Sequence, residues 1–439
     1  MVVGAGLAGL AATQRLSDAG WRVTLLEASD RPGGRARTER AFRAGQYADS
    51  GAEWIDDTHH RLLTLVDEFG LELEPDSGPW SEHNSFVFRH STLRSYADIL
   101  TSGAGVELDR FYGWIDEKAN GIPDAAHPSF AADAEVLDAL SMADLIALHN
   151  LGDDAQFSVT RHVQSEYACE PHDISVLFVV QQEALALQTQ SSDGQWSRRL
   201  AGGLDQIPRE WARRLGKYVT YGAHVTSIEA SDKGVVVATA TGELVDADCV
   251  IVTVPFPVVR AITIAPPLPA TVARAVAELG MGTITKVFVQ YDQRVWRDHD
   301  IRDMETDLAP QRFYEPTVAQ PGSHGILTAY VGGQCGAAMA SKTPTERERD
   351  VASGIAEIVP GAASCEVAWA SQAWPAEPLS RGAYAVYAPG QVTQFWEAIR
   401  QPAGRVVFAG EHTATVTGYM EGAIESGYRA ADQSLNLWG

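Results

Sequence analysis

Three glycines and one acid give the start of the chain a chemistry of its own. In "VVGAGLAGLAATQRLSDAGWRVTLLEA", Gly4, Gly6 and Gly9 satisfy the spacing GxGxxG, and Glu27 follows 18 residues after Gly9. Glycine at these positions allows a tight turn, close approach of backbone to a pyrophosphate, and packing of a helix against a strand. The amides at the helix N-terminus favour the anion, and the acid suits a ribose hydroxyl. The segment is therefore expected to bind a dinucleotide. "DRPGGR" at 30–35 extends it: Gly34 can bring backbone close to a ligand, and Arg35 can reach phosphate.

A second chemistry is hinted at by "GTITKVF" at 282–288. Alternation places Ile284, Lys286 and Phe288 on one face of a strand. The chain has only five lysines against 29 arginines, and one stands among these apolar neighbours. An unpaired buried ammonium is costly, so this lysine either meets partners inside or snorkels to the surface along its stem. Aromatic residues offer a third. Trp374 and Tyr384 stand in "WPAEPLSRGAYAVY", and Tyr419 in "GYMEG". Taken singly, each of these rings suits an ordinary core.

The elements needed to position these groups are legible. The N-terminal stretch reads as strand, glycine turn, helix and strand. Only three residues precede the first glycine, so the first strand is short or the native start lies upstream of Met1. "DQIPREWARRLG" has helical periodicity with Gly216 as its stop, and "GVVVATATGELVDADCVIVTVP" reads as strands joined by a Thr-Gly turn. Pro266, Pro267 and Pro269 mark a connector, and a last helix starts near Tyr419.

Composition bounds the function. With 439 residues, 45% hydrophobic and 21% charged, the chain has room for two domains. A net charge of −23 argues against nucleic acid or an anionic membrane as partner. No apolar run approaches a membrane span, and no secretory signal opens the chain. Cys169, Cys249, Cys335 and Cys365 form no CxxC pair and read as reduced thiols of a cytoplasmic protein. No metal-ligand spacing, catalytic Ser–His–Asp set or P-loop is present; His59 and His60 read as surface helix residues.

Taken together, six segments in order resemble the flavin monoamine oxidase/polyamine oxidase family: the dinucleotide segment with "RPGGR", "YADSGAEWI" at 47–55, "EPHDISVLF" at 170–178, "AGGLDQIPREWARRL" at 201–215, "HVTSIEAS" at 224–231 and "FAGEHTATVTGYMEGAIESGYRAA" at 408–431. The resemblance implies an α/β fold. A Rossmann-like FAD-binding domain would be built from 1–75, 198–270 and 386–439. An interleaved α+β substrate-binding domain would come from 76–197 and 271–385. It implies that Gly51, Ala52, Glu53 and Trp54 lie along the isoalloxazine ring and that Val225 meets the adenine. Gly410, Glu411, Tyr419 and Met420 would belong to the closing FAD motif, with Glu411 at the ribityl chain. Between Gly410 and Gly418 the chain is one residue shorter than the monoamine oxidase pattern.

For the reaction, the resemblance implies that Lys286 holds a water beside flavin N5, that Tyr384 and Tyr419 form an aromatic cage, and that Trp374 packs near the ring. Covalent members carry a cysteine before the cage tyrosine. Here that position is Ala383, which implies non-covalent FAD. No arginine follows "SGA", which argues against an α-amino-acid substrate. Asp56 aligns with an acid that polyamine oxidases place at their tunnel; it either anchors a distal ammonium or belongs to a helix start at which Asp57 or Thr58 is the cap. Trp196 is placed with Asp56 as a substrate-binding candidate. The implied function is oxidation of an amine by hydride transfer to flavin N5, giving an imine that hydrolyses, with O₂ reduced to hydrogen peroxide. A flavin desaturase of C–C bonds and a non-catalytic module on the same scaffold are the alternatives. A homodimer is compatible with the resemblance.

Overall fold

The structure is a computed structural model that describes residues 1–75, 85–189 and 196–439. Two sheets carry the architecture. The first has five parallel strands in the order Val406–Phe408, Val250–Val252, Val2–Val3, Leu25–Leu26 and Val219–Thr220. Four of these strands are short, buried runs of Val, Ile, Leu and Phe, as a parallel sheet covered on both faces requires, and only the edge strand Val219–Thr220 is partly exposed. The helix Leu7–Asp18 packs on this sheet and against the final helix Met420–Trp438. Gly9 makes the first packing possible: a side chain there would stand 1.8 Å from the Gly4 carbonyl oxygen.

The second sheet has seven strands, in the order Glu366–Ala373, Thr285–Tyr291, Gly325–Val331, Arg312–Tyr314, Asp303–Thr306, Ser85–Arg89 and Thr92–Ser95. Thr285–Tyr291 is interior to it and buried along its whole length. Val287, Val289 and Tyr291 on one face join a core that includes Val351 and Ile355 of the helix Pro344–Ile358. On the other face, Ile284 packs with Trp374 and Ala383, and Phe288 with Phe42. The strands of the first sheet come from 1–75, 198–270 and 386–439, and those of the second from 76–197 and 271–385.

The local sequence signals correspond to elements. The helix Gln206–Leu215 ends at Gly216, whose φ is +44°. Gly234–Thr239 pairs antiparallel with Leu244–Ala247 around Gly242. Two local expectations fail, the cap of one helix and the surface placement of His59. The helix after Asp56 runs His60–Glu68 with His59 as N-cap, and neither Asp57 nor Thr58 caps it. Its first amides are satisfied from elsewhere: the Glu421 carboxylate accepts hydrogen bonds from Arg61 N (3.1 Å) and Leu62 N (3.0 Å). A buried charged acceptor supplied by the final helix does the work expected of a local cap. His59 is buried rather than a surface residue, its ring set edge-on to Tyr419 at 5.5 Å. Among the described residues no helix is long and apolar enough to cross a membrane.

Candidate active site

A cavity of about 660 Å³ runs between the two sheets. One end is made by the loops that follow four of the five parallel strands: Gly4 and Gly6 after Val2–Val3, Glu27 after Leu25–Leu26, Thr253–Pro255 after Val250–Val252 and Gly410–Glu411 after Val406–Phe408. Ligands of open parallel sheets bind at this carboxyl edge. The other end is walled by Ile284, Lys286, Arg312, Tyr314 and Tyr330 of the seven-stranded sheet.

The nucleotide end fits a dinucleotide. A side chain at Gly6 would meet nothing within 4 Å, and one at Gly34 only the Gly6 Cα at 3.7 Å, so the two glycines face open space. Gly6 is also the N-cap of Leu7–Asp18 and gives that helix no side-chain cap, which leaves its first amides for an anion. Glu27 is held rigidly at the wall: its carboxylate accepts from Ala5 N (2.7 Å) and from Ser29 N and Oγ (both 2.8 Å). Val225 lines the same end, from the start of the strand Val225–Ser231. Arg35 also lines the cavity. Its guanidinium donates to Glu411 (2.8 Å) and to the Ala383 carbonyl, tying together two segments near the middle of the cavity. The other Glu411 oxygen accepts from Gly418 N at 2.9 Å, just before the final helix begins at Met420.

The lysine of "GTITKVF" has three partners, and none of them is solvent. Lys286 is 2% exposed. Its ammonium donates to Asp49 O (3.1 Å), Gly51 O (3.0 Å) and the Glu53 carboxylate (2.9 Å). An ammonium has three hydrogens, so each has a protein acceptor here, and a water at Nζ must share one. The "YADSGAEWI" segment is thus pinned to the second sheet by Lys286. The Glu53 side chain is the centre of the cluster. It also accepts from Arg199 Nε (2.6 Å) and the Tyr314 hydroxyl. Burial pushes the Glu53 carboxyl up, but the charges of Lys286 and Arg199 outweigh burial and hold it down at about 2. The Arg199 guanidinium lies over the Trp54 ring at 3.8 Å. Asp49, buried beside this cluster, is pushed up to about 7 by loss of solvent, against hydrogen bonds from Thr38 and Leu204 N.

Tyr384, Tyr419 and Trp374 all line the cavity, with Gly51, Ala52, Gly410 and Met420. Trp374 is fixed by a bond from Nε1 to Ser50 O (2.9 Å). Both tyrosine hydroxyls are anchored to the end of one helix, Asp153–Glu166. Tyr384 donates to Ser165 O at 3.1 Å, and Tyr419 to the Glu166 carboxylate at 2.5 Å. Both phenols are held well above their usual range, Tyr384 by burial and Tyr419 first by the Glu166 charge, so both remain neutral. Tyr330 joins them, its hydroxyl 2.9 Å from that of Tyr384 and its ring centroid 5.4 Å from Lys286 Nζ.

Asp56 and Trp196 are not among the residues lining the cavity. The Asp56 carboxylate accepts from Ser197 Oγ and lies 3.4 Å from His59 Nε2, behind Tyr419. Trp196 stacks under Arg198 at 4.7 Å. Sequence reasoning missed Tyr314, Tyr330, Arg199 and Glu166. Strand register alone brings Tyr330 opposite Lys286, and no local signal announces that pairing. Glu166 stands four residues before the "EPHDISVLF" segment.

Fold and cavity define a flavoenzyme of the amine-oxidising class, and the comparisons agree. The profile of the family described as flavin containing amine oxidoreductase matches residues 7–435. The chain belongs to that family. It is 29% identical to amine oxidase [flavin-containing] B of Sus scrofa over all of this chain and 86% of that protein, and 30% identical to its counterpart from Cavia porcellus with the same shares. Among solved structures, putrescine oxidase bound to putrescine superimposes with a TM-score of 0.88 at 26% identity, over 99% of this chain and 98% of that one. Cyclohexylamine oxidase from Brevibacterium oxydans IH-35A shares the fold with a TM-score of 0.86 over 98% of this chain and 97% of that one, at 24% identity. The chain is therefore an amine oxidoreductase that uses a flavin and acts on small amines.

Proposed function

We propose that the protein is an oxidase that binds FAD non-covalently and converts an amine to an imine. The carrying observation is the meeting of the GxGxxG end, Lys286 and the two anchored tyrosines along one cavity. FAD, when bound, supplies a hydride acceptor for the C–H bond alpha to nitrogen and delivers the electrons to O₂, so that hydrogen peroxide forms and the released imine hydrolyses to a carbonyl compound and ammonia or a smaller amine.

Gly4, Gly6, Gly9, Glu27, Gly34 and Val225 would hold the nucleotide half, and Gly51–Trp54, Gly410, Glu411 and Met420 the flavin half. Ala383 supports the non-covalent reading, and none of the four cysteines, all free thiols, lines the cavity. The amine must be neutral when its C–H bond breaks. Tyr384 and Tyr419 offer it ring faces and hydroxyls already committed elsewhere. Lys286 holds its charge at the wall, oriented by Glu53, where it favours negative charge developing on O₂. When one donor is released from Asp49 O or Gly51 O, the ammonium also holds the water assigned to it.

The test is direct. The purified protein is expected to be yellow, to release intact FAD into the supernatant on acid precipitation, and to produce peroxide with simple alkylamines or diamines. Flavin that stays with the precipitated protein would remove the non-covalent assignment. A yellow protein whose flavin no amine reduces anaerobically would remove the oxidase assignment.

A further inference from the structure

We infer that Tyr330 contacts the substrate: its hydroxyl oxygen accepts an N–H of the amine, so that the preferred substrates keep such a hydrogen and are primary or secondary amines rather than tertiary ones. The inference rests on the amine oxidation proposed above and names the substrate class for the same cavity.

Register puts Tyr330 in place. The strands Thr285–Tyr291 and Gly325–Val331 run antiparallel with Lys286 opposite Tyr330. Directly opposed side chains stand on the same face of a sheet. That face is the cavity wall, and both residues line it. The Tyr330 ring centroid lies 5.4 Å from Lys286 Nζ, and its hydroxyl oxygen lies 2.9 Å from that of Tyr384. The phenol thus spans from Lys286 to the hydroxyl of Tyr384, beside the space in which the reacting nitrogen belongs.

The hydrogens decide what the Tyr330 oxygen can do. A phenol has one hydrogen to donate, and a carbonyl only accepts. Tyr384 spends its hydrogen on Ser165 O at 3.1 Å. The bond between the two hydroxyls therefore takes its hydrogen from Tyr330, and Tyr384 accepts it. Burial holds the Tyr330 phenol well above its usual range, so it keeps that hydrogen. What remains to Tyr330 is acceptor capacity, and no described residue donates to it. An oxygen in that state gains from a donor, and the occupant of the cavity is the group that brings one.

An amine N–H suits this oxygen for a reason tied to the reaction. As hydride leaves the α-carbon for the flavin, the nitrogen lone pair closes the C=N bond. The nitrogen becomes positive and keeps its N–H. A hydrogen bond from that N–H to a neutral oxygen strengthens as the charge develops, so it lowers the barrier rather than only tightening binding. The same bond turns the lone pair away from Tyr330 and leaves it free for the new π bond. No proton moves to Tyr330 in the step. A tertiary amine has no N–H and sets an alkyl group against the oxygen.

The experiment follows anaerobic reduction of the flavin by an n-alkylamine, its N-methyl derivative and its N,N-dimethyl derivative. It is run in the wild-type holoenzyme, in Tyr330→Phe and in Tyr419→Phe. Tyr330→Phe keeps the ring and strands no donor, because Tyr384 still donates to Ser165 O. The limiting rate of reduction by the primary and secondary amines should fall by about ten-fold or more in Tyr330→Phe. The tertiary amine, followed as a slow substrate or by its inhibition constant against the primary amine, should change by less than about two-fold. Equal losses for all three amines overturn the inference, since Tyr330 then acts only by holding Tyr384. An unchanged rate with the primary amine also overturns it, and so does a loss confined to primary and secondary amines that appears in Tyr419→Phe and not in Tyr330→Phe. Each of these leaves amine oxidation intact. A wild type whose flavin no amine reduces overturns the oxidase reading and this inference with it.

Discussion

A buried ammonium is tolerable only when each of its hydrogens has an acceptor, and Lys286 meets that condition through the segment 49–53. Its substitution therefore has two consequences. Lys286→Met keeps the length and the apolar stem, but it leaves Asp49 O and Gly51 O without their donor and Glu53 with only Arg199 and Tyr314. Oxidation of the reduced flavin by O₂ is expected to slow by about two powers of ten, more than its reduction by substrate; anaerobic reduction in a stopped-flow followed by mixing with O₂ separates the two rates. Wild-type rates in both halves would reduce Lys286 to a structural tie. Glu53→Gln is the more damaging change for folding. It leaves Lys286 and Arg199 buried without their anion, and removing one partner of such a cluster costs about 3–5 kcal/mol. Urea unfolding of the two variants at saturating FAD should rank Glu53→Gln as the less stable. The opposite ranking would contradict the pairing described here.

At the scale of elements, signals that act within a few residues were legible and those that act across the chain were not. The GxGxxG turn, the Gly216 stop and the Thr-Gly hairpin each follow from their own residues, and each is present. The segment "GTITKVF" could be read as a strand from its alternation, but its place inside a seven-stranded sheet and its partner Tyr330 depend on register with distant strands. The start of the helix His60–Glu68 shows the same limit. Its cap looked local, with "DDT" in front of it, yet Glu421 reaches it from 360 residues away in sequence to Arg61 N. A stability prediction belongs here. Glu421→Ala removes a buried charged acceptor shared by Arg61 N, Leu62 N and the Arg61 guanidinium, and should cost about 1–3 kcal/mol. Asp57→Ala should cost no stability and is expected to gain some, since Asp57 provides no cap and its Oδ2 is buried without a partner among the described residues. Denaturant midpoints at equal slope measure both, and a larger loss for Asp57→Ala would restore the local cap.

For the whole molecule, the distribution of charge predicts a response to acid. The net charge is −23 at neutral pH, so the folded chain repels itself, and lowering the pH relieves this. Specific groups add to the effect. Asp49 and Glu305 are each pushed up to about 7 by burial, well above the usual carboxyl value. In both, the folded state binds a proton that the unfolded chain releases between about pH 4 and 7, so acidification through that window stabilises the fold. His412 opposes them. Burial pushes it down to about 4, and neither ring nitrogen has a partner among the described residues, so the unfolded chain takes up a proton from about pH 6.5 downward that the folded protein refuses until about pH 4. Burial lowers His59, His149 and His162 as it does His412, but it raises Glu74, Glu183, Asp303 and Glu366 beside Asp49 and Glu305, so six carboxyls and the relief of repulsion set against four imidazoles leave a net gain. Below about pH 4.5 the sign reverses, because Glu53 is held at about 2 and its unfolded form protonates first. The thermal midpoint of the holoenzyme, measured at constant ionic strength and saturating FAD, should therefore rise as the pH is lowered from 7.5 to about 5 and fall steeply below about 4.5. Asp49→Asn should flatten the rise, and His412→Leu should steepen it. A wild-type midpoint that declines steadily from pH 7.5 would contradict the buried-carboxyl account. A rise that survives in Asp49→Asn but disappears in high salt would assign it to net charge alone.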